Sequence, residues 1–131
     1  MMLVDGLLKK IDEGKVACVD REINAKDLPW NEHPSFKGVY LKHLVKGEHT
    51  KGKFSCHLVK VRKGLEIGEH IHEGKWELHE VIEGSGKCVL MDKEVKYQPG
   101  VSAIIPEGLK HRVFAIESDL YLLAKFVPAL L

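Results

Sequence analysis

From residue 38 onward the chain is divided into seven short runs rich in β-branched and aromatic residues: GVYLKHLV, KFSCHLVKV, WELHEVIEG, KCVLMDKEVKY, VSAIIP, HRVFAI and DLYLLAKFV. Glycine, proline or a short charged break separates each run from the next, so each reads as strand and each break as a turn. Strands this short at this spacing predict an all-β fold, an antiparallel sandwich or barrel. The stretch EGSGK, residues 83–87, is a compact glycine turn expected to close a hairpin between two of these strands.

The N-terminal part is different. Leu3, Leu7, Leu8 and Ile11 recur at helical spacing and Gly14 stands where a helix C-cap glycine would, which predicts one short amphipathic helix. DLPWNEHPSFKG follows, with two prolines and a glycine, and reads as an irregular entry segment. The expected organisation is a helix and extended arm over residues 1–37 and a barrel over 38–131. At 131 residues a single domain buries about two thirds of its unfolded surface, enough for one core.

Twenty basic and nineteen acidic residues leave a formal charge of +1, which gives no reason to expect nucleic acid or an anionic membrane as partner. Cys18, Cys56 and Cys88 are odd in number, widely spaced and without a CxxC pair, a usage that fits a reducing compartment. No run of 18 apolar residues occurs, and the charges of MMLVDGLLKK interrupt any leader-like core, so a cytoplasmic location is expected. Function is therefore sought in a local site.

The richest local chemistry is GEHIHEGKWELHE, residues 68–80. His70 and His72 are two apart, and in a strand such residues point to one face, so both imidazoles can converge on one point. Beyond a turn-like EGK, Glu77 opens the next strand and offers an oxygen. His111, just past PEGLK, begins another strand. Three imidazoles and one carboxylate form a ligand set for one divalent transition metal per chain, with room left for water or substrate.

These residues stand in a recognisable frame. Gly64, five residues, His70, one residue, His72, four residues, Glu77, six residues and Gly84 resemble the first motif of the cupin superfamily at every fixed position. Gly100, five residues, Pro106, one residue, Gly108, two residues and His111 resemble the second. Ala115 stands where the family often has asparagine, a position that is not a usual metal ligand. The resemblance implies a double-stranded β-helix, the jelly-roll or cupin barrel, with the metal held by His70, His72, Glu77 and His111. It also implies a homodimer. Thiol dioxygenases of the superfamily typically use three histidines without the glutamate, so Glu77 counts against a cysteine-oxidising role.

His79 shares strand parity with Glu77, which leaves two readings: an acid or base facing the same cavity, or an ordinary half-buried histidine. Tyr97, His57, Cys56 and Cys88 lie on predicted strands whose register is open, so packing is their default role. Trp76 either walls the pocket mouth or fills a gap between loop and sheet. His33, His43 and His49 occur near charged or turn residues and are expected at the surface. Two accounts of function follow: a mononuclear metal-dependent enzyme (dioxygenase, isomerase or lyase type) acting on a small oxygen-chelating substrate, with His79 or Tyr97 moving protons, or a non-catalytic barrel that binds or senses a small molecule.

Overall fold

The computed structural model describes residues 6–131, and Leu3 of the expected helix lies outside them. In chain order the elements are α1 (Leu7–Asp12), β1 (Lys15–Ala17), β2 (Glu22–Asn24), a 3-10 turn (Ala25–Asp27), β3 (Asn31–Glu32), β4 (Val39–Val45), α2 (Gly47–Thr50), β5 (Ser55–Val61), β6 (Glu66–His70), β7 (Trp76–Glu83), β8 (Gly86–Leu90), β9 (Lys93–Tyr97), β10 (Ser102–Ile105), β11 (His111–Ala115) and β12 (Leu120–Val127). All strand pairings are antiparallel. One sheet runs β10-β7-β12-β5-β4-β3, the second β6-β11-β8-β9, and β1-β2 form a separate hairpin.

Alternation of side chains decides how the sheets close. On β12, Leu120, Leu122, Ala124 and Phe126 are buried while the residues between them are not, so one face of the strand looks into the barrel. They join Val39, Val59, Val61, Val81, Val113 and Tyr97 in the main core between the two sheets. A smaller core lies on the other face of the six-stranded sheet, where Leu44 and Leu58 pack with Ala25 and with Leu8 and Ile11 of α1. The arm is thus folded back along the barrel wall. Lys42 fixes it there: its ammonium is buried, donates to the carbonyls of Asp12 at 2.8 Å and Ala25 at 2.9 Å, and pairs with the Asp12 carboxylate. A buried ammonium is tolerated because each donor meets an oxygen.

EGSGK is not the expected hairpin. It carries the chain from β7 in one sheet to β8 in the other, and β7 pairs with β10 and β12 instead. The glycines are required by close backbone approach at this crossing. A Cβ on Gly84 would stand 2.0 Å from the carbonyl oxygen of Asp119, and one on Gly86 would stand 1.9 Å from that of Phe114. The run KCVLMDKEVKY is two strands, β8 and β9, turned at Met91, whose φ is 53°. Strand β6 escaped the periodicity because EIGEH carries two carboxylates and a glycine, with only Ile67 buried.

The segment after β12 crosses one end of the barrel. Ala129 donates to the Gly52 carbonyl at 3.1 Å, Leu130 N–H donates to Ser55 Oγ at 2.8 Å, and Gly47 N–H donates to the carbonyl of Leu131. The Leu130 side chain packs against the main core.

Candidate metal centre

His70 ends β6, His111 opens β11, and the two are direct antiparallel partners. His72 follows β6 by two residues, so the three rings gather at one end of the four-stranded sheet: ring centroids lie 4.1 Å apart for His70 and His111, 4.8 Å for His70 and His72, and 5.5 Å for His72 and His111. Their ligand nitrogens all lie within 4.8 Å of one another, an arrangement that can hold a metal ion. Backbone carbonyls orient two of the rings. His70 Nδ1–H donates to Gly68 O at 2.7 Å and His111 Nδ1–H donates to Leu109 O at 2.9 Å, which leaves each Nε2 with a free lone pair. Burial, the largest influence, drives the His70 pKa down to about 4 and also lowers that of His72, so both rings are neutral and ligand-ready near pH 7.

Glu77 approaches from the opposing sheet. Its Oε1 lies 3.3 Å from His111 Nε2 and 3.6 Å from His72 Nε2, while its Oε2 accepts from His79 Nε2–H at 2.7 Å. The side chain is almost wholly buried, and both Oε1 and His111 Nε2 lack a hydrogen-bond partner. An unsatisfied buried carboxylate oxygen facing an unsatisfied imidazole nitrogen is costly unless a cation lies between them. The donor set therefore fits a divalent transition ion.

His79 and Tyr97 are both buried, and they extend the same line. His79 Nδ1 lies 2.8 Å from Tyr97 Oη. Burial disfavours the charged imidazole of His79, but the Glu77 carboxylate outweighs it and raises the pKa to about 9. Burial raises the Tyr97 phenol well above its usual range, with neighbouring Cys88 adding to it. Glu77 is held well below the usual carboxylate range: burial opposes ionisation, but the charge on His79 and its hydrogen bond prevail. The structure thus brings together all six residues singled out in the sequence.

The cavity beside the rings is about 50 Å³, lined by His70, His72, Glu77, Phe126, His33 and Leu130 among others. Three of these were not anticipated. Phe126 stacks edge-on to His72 at 4.9 Å, and its inward parity on β12 was the only available signal. His33, expected at the surface, lines the cavity because the arm returns over the barrel mouth, and Phe36 beside it packs 5.9 Å from His70. Leu130 arrives with the C-terminal segment. His43 is also not a free surface residue: its Nδ1 lies 2.8 Å from Nδ1 of fully buried His57, whose Nε2 lies 2.9 Å from Ser55 Oγ. Trp76 is half exposed on the face opposite Glu77 and does not line the cavity.

A family model described as the cupin domain matches residues 57–124, more than half of the chain, and spans His70, His72, Glu77, His79, Tyr97 and His111 but not His33, Phe36, Phe126 or Leu130. The chain belongs to the cupin family. Solved structures share this cupin's fold. One is a predicted oxalate decarboxylase from Thermotoga maritima, 23% identical over 79% of this chain and 95% of that one, with a TM-score of 0.72. A second is the polyketide cyclase RemF from Streptomyces resistomycificus, 20% identical over 82% and 78%, at 0.70. Ectoine synthase from P. lautus is 21% identical over 97% and 78%, at 0.65. Among curated protein sequences none matches this cupin.

Proposed function

We propose that this cupin is a mononuclear metal-dependent enzyme acting on a small substrate that chelates through oxygen, with the ion held by His70, His72, Glu77 and His111. The observation that carries the reading is the buried, unpartnered Glu77 Oε1 facing the unpartnered His111 Nε2. When bound, the ion supplies Lewis acidity toward a coordinated oxygen, or dioxygen chemistry if it is iron or manganese. The protein's own contribution is proton control. His79 holds a proton between Glu77 Oε2 and Tyr97 Oη, so Glu77 keeps its negative charge for the ion while a proton donor waits one residue behind it. Similar folds among named lyases, cyclases and decarboxylases support an enzymatic role.

The 50 Å³ cavity has space for one or two waters and for no metabolite. On this reading a substrate enters by displacing Leu130, which lines the cavity from the C-terminal segment and is anchored through its N–H on Ser55. Metal analysis of the purified chain and of a His70→Ala/His111→Ala variant tests the ligand set: about one ion per chain is expected in the parent, and equal traces in both would refute it. Oxygen uptake and product formation after adding iron(II) or manganese(II), over a panel of hydroxy acids, diketones and sugars, tests catalysis. Tight binding without turnover across that panel would assign a binding protein in place of an enzyme.

A homodimer is part of the same reading. β10 is the edge strand of the six-stranded sheet and carries strongly exposed Ile104, an edge that a second copy can cover. Light scattering checks this; a mass near 14.8 kDa overturns it.

A further inference from the structure

On the outer face of the six-stranded sheet, away from the imidazoles, lies a concavity of about 370 Å³, within the range of small-molecule sites. Its floor is a cross-strand row. Tyr40 on β4, Lys60 on β5 and Tyr121 on β12 are direct partners, all on the face opposite Leu41, Val59 and Leu122. Trp30, from the arm, forms a wall and meets the Tyr121 ring edge-on with centroids 6.5 Å apart. Arg62 stands at the rim.

The charges here are not consumed by the fold. Elsewhere on the sheets Lys15, Lys87, Arg112 and Lys125 each meet a glutamate. Both cross-strand neighbours of Lys60 are tyrosines, and its ammonium lies 5.7 Å from the centre of the Tyr121 ring. Neither Lys60 nor Arg62 has a carboxylate partner among the described residues. The one acid in the lining, Asp12, is already paired with buried Lys42. The concavity therefore presents two uncompensated cations framed by three aromatic rings.

An apolar ligand would leave the cations unanswered, a cation would be repelled, and a bare inorganic anion would leave the rings unused. The chemistry that answers both features is a flat ring bearing one carboxylate, with the ring stacked on aromatic faces and the acid taken by a guanidinium fork. We propose that this concavity is a second ligand site, independent of the metal centre, for a small aromatic carboxylate whose ring lies against Trp30, Tyr40 and Tyr121 and whose acid group meets Arg62 and Lys60.

The test is calorimetric titration of 4-hydroxybenzoate into the full chain after treatment with a chelator, so that no bound ion competes for the carboxylate. One saturable site is expected. Arg62→Ala, at an exposed position that leaves packing intact, weakens it at least about tenfold. Tyr121→Leu weakens it as well, and 4-hydroxybenzamide, the neutral analogue, binds at least about tenfold more weakly than the acid. The His70→Ala/His111→Ala variant binds like the parent. No saturable binding by the parent, equal affinity in Arg62→Ala, or loss of binding in the histidine variant would each overturn the proposal.

Discussion

Glu77 Oε2 lies 2.7 Å from His79 Nε2, and the two side chains leave the same face of β7 two residues apart. A single strand thus presents the carboxylate and the imidazolium that holds it ionised. Removing one member of such a buried pair leaves the other uncompensated. In chelator-treated protein, His79→Leu is expected to lower stability by about 3–5 kcal/mol in urea unfolding. Adding Glu77→Gln to that variant returns part of the loss, since no buried charge is left alone.

Ions that bind the folded state alone stabilise it by mass action. At a hundredfold excess over Kd, cobalt(II) or zinc(II) is expected to add about 2.7 kcal/mol, which raises Tm by roughly 5–10 °C. The His111→Ala variant loses this shift. Differential scanning calorimetry with and without the ion measures it, and an undiminished shift in the variant would place the ion elsewhere.

Acid stability carries a contribution from His57 alongside that of His70, and substitution of His57 separates the two. Burial, the largest influence, lowers the His57 pKa from 6.5 to about 4, with the nearby His43 adding to it. Between those values the unfolded chain binds a proton that the folded chain refuses, so stability is complete above about pH 6.5 and falls as pH drops toward 4, by up to roughly 3 kcal/mol. His57→Gln, which keeps a hydrogen-bonding side chain, should flatten the stability curve by that amount over this window. An unchanged slope would show that His57 is not held neutral.

Much of the architecture was readable because alternation and motif spacing are local signals. The seven runs gave the strands from β4 to β12 apart from β6, and the parity of Glu77 with His79 placed that pair on one face of β7, whereas His72 lies beyond the end of β6 and joins His70 from the following turn. Features made by contact between distant segments were not readable. EGSGK looks like a hairpin because its glycines tolerate a turn, yet their use is to let β7 and β8 cross other backbone. His33 and Leu130 reach the cavity beside the three imidazoles from opposite ends of the chain, and no periodicity relates residue 33 to residue 130.

That crossing gives a sharp steric test. A Cβ at residue 86 would stand 1.9 Å from the backbone oxygen of Phe114. Since backbone cannot move aside cheaply, Gly86→Ala is expected to cost more than about 3 kcal/mol, whereas Ser85→Ala, next to it, stays within about 0.5 kcal/mol. Equal midpoints in chemical denaturation would contradict the crossing.

Leu130 closes the cavity with a contact that can be weakened alone. Leu130→Ala is expected to speed removal of a bound ion by a chelator several-fold while lowering stability by about 1–2 kcal/mol, because the side chain is only partly buried. Stopped-flow absorbance of a chromogenic chelator reads the rate; identical rates in parent and variant would remove Leu130 from the entry route.

The same cap bears on how an ion is acquired. Leu130 is seated on the core with its N–H on Ser55, so exchange of an ion held as proposed is expected to wait on transient opening of the C-terminal segment, a step that the unfolded chain does not need. Selection among manganese, iron, cobalt, nickel, copper and zinc then becomes a matter of history as well as affinity. On the proposed reading, an ion captured as the barrel closes is expected to be retained, so that the metal content of the isolated protein would record the supply at the moment of folding.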